Sequence, residues 1–563
     1  MARAFRPPNS RRLLAAGMCL CALAGRAFAV EPPAATSPAA APPGAAPPAA
    51  AAPAAEAHPA AEKYEQPAFI REPPRLPEGM DLTAARRLPL SDAIALALAN
   101  NLGIVLVKQQ LAIAEQGVEQ SLGLFEPTLN ASYLHQNADS PPDPAQGGLA
   151  ASLLESTNDR WIAGYRQRLR LGTQLELQWI NDRTKSRFDT GGEPLFYRSE
   201  LRLALTQPLL RGFAFRWEVP NADVLRAEVA SERAKQDYKG SVIATIRDTE
   251  NAYWDLVQAL ESYQVQQGSL NLAEEQLGLT GRQIEAGVLP PSDLINAEGT
   301  LAQRQLGLVQ AESTVEQSAD QLRHLLNLPR EAWSAPILPL DVPEFDQLSV
   351  TFEAALNQAL QNRPELEKLK LDLRRAALDL RVASSDRLPQ LDASVSYGLV
   401  GQRSQYPDSV NQLFSADARA WSAILNFSWT PLNQSARAKL TALRLSERSL
   451  RTLQDQTLLD LRLELRTAIR GLQTADRSVR AAAKFRALAE RSLDAEQRKF
   501  LNGTSNNFFV AQRQDDLSRA RLAELSALIQ HRKAATALRA AMGVLLEHRH
   551  VQLEVRSPST RSP

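Results

Sequence analysis

The sequence predicts a mainly α fold with membrane β-strands, in which a unit of long coiled-coil helical hairpins and amphipathic strands occurs twice. Three observations predict it. Residues 90–133 lie on residues 352–395 without a gap, so that Ala97 meets Ala359, Leu98 meets Leu360, Pro127 meets Pro389 and Leu129 meets Leu391. No proline interrupts the chain between Pro220 and Pro290 or between Pro431 and Pro558, and apolar residues there recur at three and four. Between these helical blocks the period changes to two. A duplication has to be recognised before its elements are assigned, because one missed repeat changes the whole fold.

At the N-terminus, Arg3, Arg6, Arg11 and Arg12 precede an apolar stretch, 13–24, and the small-x-small run Ala27-Phe28-Ala29. Residues 1–29 therefore read as a secretory signal peptide. The only two cysteines, Cys19 and Cys21, fall inside it. Residues 30–80 are rich in alanine and proline, and 15 of the 35 prolines lie in the first 80 residues. Such a stretch reads as an extended linker outside the fold. With 64 basic against 63 acidic side chains there is no global field for nucleic acid. No later window approaches the roughly 18 consecutive apolar residues of a membrane helix, so any membrane role falls to strands.

Repeat one is read as 81–330 and repeat two as 351–548, with 331–350 as an inter-repeat linker and 549–563 as a tail. The helical hairpins span about 218–328 and about 436–546. Their seams are Ile243, Ile246, Tyr253, Val257 and Leu260 in one copy, and Leu461, Leu465, Ala468, Leu472, Ala475 and Val479 in the other. This is the pattern of helices packed as coiled coils. A helix from near Asn221 to Ala286 is roughly 100 Å long and needs partners along its length. Return helices follow from about Ser292 to Leu326 and from about Asn507 to Leu546. A second set of matches, Ala252 on Ala468, Gly287 on Gly503 and Leu301 on Leu517, keeps a smaller shift than the first. Repeat one therefore carries extra residues between its blocks. Each hairpin turns at a glycine, Gly287 or Gly503, where a helix end takes a left-handed residue. Pro290 and Pro291 stop and restart the first hairpin, and Asp293 sits in the next first turn, where the helix dipole favours an acid.

The strands come next. Trp161, Ala163, Tyr165 and Gln167 alternate with Ile162, Gly164, Arg166 and Arg168; Leu175, Leu177 and Trp179 alternate with Glu176 and Gln178; Leu201, Leu203 and Leu205 alternate with Arg202 and Ala204. Repeat two gives Trp421, Ala423, Leu425, Phe427 and Trp429 against Ser422, Ile424, Asn426 and Ser428. An apolar face with aromatic ends suits a barrel wall in a membrane. A soluble antiparallel sheet shows the same alternation, and the leader and the aromatic ends favour the membrane. Repeat two has room for one hairpin, at about 389–400 and 420–430. Repeat one, with strands at about 127–137 and 160–208, has room for two, the additional one at 160–181. Four to six strands cannot close a barrel, for which about eight are needed, so several chains must share one.

The openings LPLSDAIALALANN and VTFEAALNQALQNRPEL, the strand entry LPQLDASVSY, the strand exit TQPLLRG and the turn AGVLPPSDLINAE resemble the TolC family of outer-membrane efflux proteins. The likeness covers about 88–548. It implies a homotrimer in which each chain gives strands to one barrel in the outer membrane and helices to a long periplasmic tunnel. It also implies a passive duct surrounded by outer-membrane lipid, docked by a periplasmic adaptor (membrane fusion) protein and an inner-membrane pump, with no cofactor. Carried onto this sequence, Gly287 and Gly503 match the family's tip glycines, and Val288, Leu289, Thr504 and Ser505 lie on the adaptor-facing turns. Asp293, Asn507, Phe508, Phe509 and Gln512 are the candidates for the periplasmic entrance. The family's entrance uses acidic residues at the start of the last return helix, where this chain has Phe509 and Gln512. An apolar ring at Phe508 or Phe509 is the expected barrier here, because a narrow apolar constriction excludes water and ions.

The sequence offers no metal spacing among its six histidines. It has no phosphate loop, nucleophile elbow or dinucleotide turn, so an enzyme is not expected. The competing reading is a periplasmic coiled-coil adaptor or scaffold bridging envelope complexes. Such adaptors carry one hairpin inside strand-rich domains, whereas this chain has two hairpins and duplicated amphipathic strands.

Overall fold

The computed structural model describes residues 64, 67, 74–75, 77, 85–140, 154–187, 194–212, 217–287, 289–502 and 504–553. The expected signal peptide, most of the expected linker and residues 554–563 of the tail lie outside the described residues, as do Val288 and Gly503.

Repeat one begins with β1 (Arg86–Leu88), α1 (Leu90–Asn100) and α2 (Leu102–Leu122), followed by four strands, β2 (Thr128–Ser140), β3 (Leu154–Arg168), β4 (Gln174–Arg187) and β5 (Leu195–Pro208). The hairpin α3 (Ala222–Glu285) and α4 (Ser292–Leu326) completes it. β6 (Ile337–Pro339) leads to repeat two: α5 (Phe352–Asn362), α6 (Pro364–Asp386), β7 (Gln390–Arg403), α7 (Tyr406–Ser415), β8 (Arg419–Ser428), α8 (Gln434–Leu501), α9 (Asn507–Ala541) and α10 (Leu545–His548).

Local chemistry sets the breaks. The side chain of Asn101 accepts hydrogen bonds from the amides of Gly103 and Ile104, capping α2, and its own amide donates to the carbonyl of Leu325 at 3.0 Å. In repeat two the same break is made by Pro364, which opens α6 at a position where a missing N–H costs nothing. Asn327, left-handed with φ 45°, ends α4, and its side chain donates to the carbonyl of Asn100 at 3.0 Å.

Six strands form one antiparallel sheet in the order β2-β3-β4-β5-β7-β8. Their register places Tyr133, Trp161, Asn181, Ser199 and Gly401 opposite one another in a row across the sheet. Below it, α3 packs against α2, α4, α6 and α9, while α8 packs against α6 and α9. The largest core gathers on α3: Tyr253, Trp254, Leu256 and Leu260 are buried with Ala93 and Ile94 of α1, Leu322 and Leu326 of α4, and Leu525 and Ile529 of α9. Satellite cores run along the second hairpin, at Leu461 and Leu465 with Leu538, and nearer the turn at Leu493 with Val510 and Leu517.

Three segments expected outside the elements are built into the fold. Tyr64, in the expected linker, donates to Glu524 at 3.1 Å and sets its ring 5.3 Å from Phe345. Pro67, Pro74 and Pro77 are buried. Proline has no N–H to leave unpaired when it lies along a helix surface, so a proline-rich run can cover apolar residues without cost in backbone hydrogen bonds. The expected inter-repeat linker contains β6, which pairs in parallel with β1, Arg87 opposite Leu338. In the expected tail, Arg549 pairs with the fully buried Glu250, which also accepts from Thr536 at 2.6 Å. A helix not foreseen in the sequence, α7, lies over β5 and β7. Ser409 and Ser199, both buried, share a hydrogen bond of 3.1 Å, and Gly401 leaves room for α7, since a Cβ there meets the carbonyl oxygen of Ser409 at 1.9 Å.

Tyr253 ties β1 and β6 to α3. Its hydroxyl lies 2.6 Å from Asp341 Oδ2 and 3.1 Å from the carbonyl of Leu88, and accepts from the amides of Leu340 and Asp341 at 3.2 Å each. Burial and the bond to Asp341 push this phenol up from its ordinary pKa. Tyr253→Phe takes the hydroxyl away from the amides of Leu340 and Asp341 and leaves Asp341 Oδ2 with the amide of Leu90 alone among these contacts. The expected loss is about 1–3 kcal/mol, checked as a lower thermal or denaturant midpoint.

Candidate functional site

Two places carry the chemistry of this molecule: the paired hairpin turns and the six-stranded sheet. At the first turn, α3 ends with the amide of Gly287 donating to Ile284 at 2.9 Å, and Gly287 takes φ 72°. Leu289 turns back with its amide on the carbonyl of Gln283 at 3.4 Å. Asp293 falls in the first turn of α4. At the second turn, both the amide and the hydroxyl of Thr504 donate to the carbonyl of Lys499, at 3.0 and 3.1 Å. The hydroxyl of Ser505 donates to Glu496. That bond, followed by the one from Lys499, holds the Glu496 carboxyl below the usual range. Asn506 caps α9 by accepting from the amide of Phe509 at 3.2 Å.

The candidates for the entrance divide into two groups. Asp293, Asn506 and Phe508 line one cleft of about 110 Å³ between α3, α4 and the start of α9, together with Gln276, Asn296 and Gln514. Asn507 opens α9 beside them. Phe509 and Gln512 lie outside that cleft, exposed. Phe508 and Phe509 stand edge to face with centroids 5.7 Å apart, and are 69% and 45% exposed.

Two features here were not read from the sequence. Arg304 of α4 pairs with Asp515 of α9, both partly buried, and so joins the two hairpins two turns above Phe508. Nothing in the spacing of either residue announces a partner 211 positions away. The second is Glu261 of α3, 3% exposed, whose carboxyl burial pushes up to about 7.

On the sheet, opposite residues share a face. Leu129, Tyr133, Trp161, Tyr165, Leu177, Trp179, Leu201, Leu203, Val395, Tyr397, Trp421, Leu425 and Phe427 fall on one side. The other side carries cross-strand polar pairs: Arg166 with Glu176 at 2.9 Å, Arg160 with Asp182 at 2.5 Å, and Arg202 with Gln178 at 2.5 Å. A sheet with one apolar and one charged face suits a wall between lipid and a water-filled lumen. No single helix among the described residues is long and apolar enough to cross a membrane.

The family model for outer membrane efflux proteins matches residues 181–328 and 355–544. Among solved structures, the CmeC outer membrane channel of Campylobacter jejuni superposes with a TM-score of 0.60 at 14% identity, covering 81% of this chain and 86% of that one. VceC, an outer membrane protein of Vibrio cholerae, gives 0.58 at 13% identity, with 81% and 96% covered. The open state of the MtrE outer membrane channel of Neisseria gonorrhoeae gives 0.57 at 16% identity, with 86% and 98% covered. No curated protein matches by sequence. A long helical layer carrying an amphipathic sheet is the subunit of an outer-membrane channel with a periplasmic helical part. This chain belongs to the outer membrane efflux protein family, and it is a channel for efflux across the outer membrane.

Arg304→Ala removes the ion pair between the hairpins, with an expected cost of about 1–3 kcal/mol at this partly buried site. Spin labels on the two turns, at Leu289 and Thr504, are expected to give a broader distance distribution in Arg304→Ala than in the parent, with Arg304→Lys in between.

Proposed function

We propose that this chain works as a homotrimeric, passive duct in a tripartite system, with a periplasmic adaptor on its hairpin turns and an inner-membrane pump supplying the energy. The observation that carries the reading is that the molecule is unfinished at both lateral edges. Among the described residues, β2 and β8 each have one strand neighbour. The helices continuing from these strands also bear uncovered apolar rows: Leu445, Leu459, Leu463 and Leu488 on α8, against Leu102, Leu106 and Ile113 on α2 with Leu306 and Val309 on α4. α8 bounds the helical layer on one side, α2 and α4 on the other. An edge that fits the opposite edge of an identical copy makes a head-to-tail contact, and such contacts close into a ring when the rotation between copies divides the circle. The adaptor reading of the chain draws no support from a sheet with an apolar outer face.

Gly287, Leu289, Thr504 and Ser505, with Val288 and Gly503 beside them, are the surface offered to the adaptor. The entrance is held by Phe508, with Phe509 next to it, and Asp293 shares its cleft. A ring of three such phenylalanine pairs is a narrow apolar constriction, which bars ions by refusing water.

Two measurements test this. The purified protein in detergent is expected to have the native mass of three chains. Leu459→Glu with Leu463→Glu places charges in an apolar seam, at a cost of several kcal/mol, and is expected to yield folded single chains by circular dichroism and mass. A parent protein that is already a single chain removes the duct. In planar bilayers, Phe508→Ala is expected to raise single-channel conductance about twofold or more, with Asp293→Ala close to the parent. The reverse order assigns the barrier to the acid.

A further inference from the structure

The two repeats do not contribute equally to the sheet. β2 and β7 occupy matching positions, each entered after a Pro127 or Pro389 turn, and the proline that ends β5, Pro208, matches the one that follows β8, Pro431. β3 and β4 have no counterpart in repeat two. They are not an excursion from the sheet, because β2 pairs with β3 alone and β5 pairs with β4 and β7. The register runs unbroken along them, from Glu155 opposite Arg187 to Arg168 opposite Gln174. The alternation is continuous too: Trp161, Ala163, Leu177 and Trp179 share the side of Leu201, Leu399 and Tyr397, while Arg160, Arg166, Glu176, Gln178 and Asp182 share the side of Arg202, Ser396 and Ser422. The charges that the extra hairpin brings to the polar face are mostly paired within the sheet, so a water-filled lumen takes them without an unpaired buried ion.

We infer that the β3–β4 hairpin is part of the membrane wall, and that three copies, joined β8 to the next copy's β2, close an eighteen-stranded barrel. This rests on the trimeric channel reading and fixes what that reading leaves open, the bore. With strands about 4.8 Å apart and tilted about 40°, eighteen strands give a barrel roughly 36 Å across between backbones, against roughly 24 Å if the hairpin lay outside the wall. The wider figure belongs to the size range in which barrels of about 16–18 strands leave an aqueous channel. The outer exit is then not the narrow point of the duct, and the hairpin turns at the other end set the size of what passes. The partner that completes each exposed sheet edge is a second copy of this chain.

Alternating thiol accessibility tests the placement. In the full chain with Cys19→Ser and Cys21→Ser, single cysteines replace Gln178 and Leu177 on β4, and Ser396 and Val395 on β7. The proteins are reconstituted in phospholipid vesicles and treated with a charged, membrane-impermeant maleimide. The expected result is fast labelling at positions 178 and 396, and labelling about tenfold or more slower at 177 and 395, which face hydrocarbon. Equal labelling at 177 and 178 with alternation kept on β7 puts the hairpin outside the wall and overturns the eighteen-stranded barrel while the channel stands. Loss of alternation on both strands overturns the channel reading with it. Closure is read separately, by bifunctional thiol cross-linking of Asn426→Cys on β8 to cysteines at Thr128, Asn130 or Ser132 on β2. Covalent rings of three are expected for one of these positions, and none for any of them overturns the β8-to-β2 joint.

Discussion

Inside hydrocarbon the N–H groups of a strand have nothing to bond to except another strand, and that constraint governs the rest of this molecule. Among the described residues the large sheet of one chain has six strands and two open edges, fewer than the number that closes a barrel. The same incompleteness continues downwards, where α8 and the α2–α4 side leave leucines uncovered at the two ends of the helical layer. The core around Tyr253 and Trp254 lies within one chain, whereas the apolar rows at its two sides are left uncovered by the chain itself. The duplication serves the same end, since two similar sectors per chain bring the helical layer closer to regular spacing around a common axis.

Much of the architecture was legible in the sequence because it is carried by periodicity. The α3 seam at Ile243, Ile246, Tyr253, Val257 and Leu260 is buried as its spacing implies. The strand alternation survives in the register, with Tyr397 opposite Trp421 and Trp179 opposite Leu201. Gly287 has the positive φ that a hairpin turn at that point calls for. What escaped was carried by single residues acting over long separations. Tyr64 is one aromatic ring in a run of alanine and proline, and composition averaged over the run hides it. β6 is three residues long and exists because β1 pairs with it. α7 depends on one glycine, Gly401, and one serine pair, neither of which has a periodic signal.

The candidate entrance shows the same division. Phe509 and Gln512 stand where the family has acids, which drew attention to an apolar ring at Phe508 or Phe509, and the structure sets Phe508 in a cleft with Asp293. The proposed trimer brings these exposed rings together around its axis. The ion pair between Arg304 and Asp515 ties α4 to α9 beside that cleft, next to Gln514 of its lining. A site of this kind is defined by leverage as much as by the residues at its centre.

The turn from β3 to β4, closed by the amide of Leu169 on Thr173 and that of Gly172 on Leu169, lies on the helix side of the sheet, where Asn221 at the start of α3 donates to the carbonyl of Arg170 at 2.9 Å, and it adds no helix of its own. Strands can therefore enter this wall in twos without changing the number of helices below, and in odd numbers they cannot, since the chain must come back to the side it left. The circumference of the mouth and the circumference of the throat are thus separate heritable quantities in this architecture, the first adjustable in even steps while the second stays fixed.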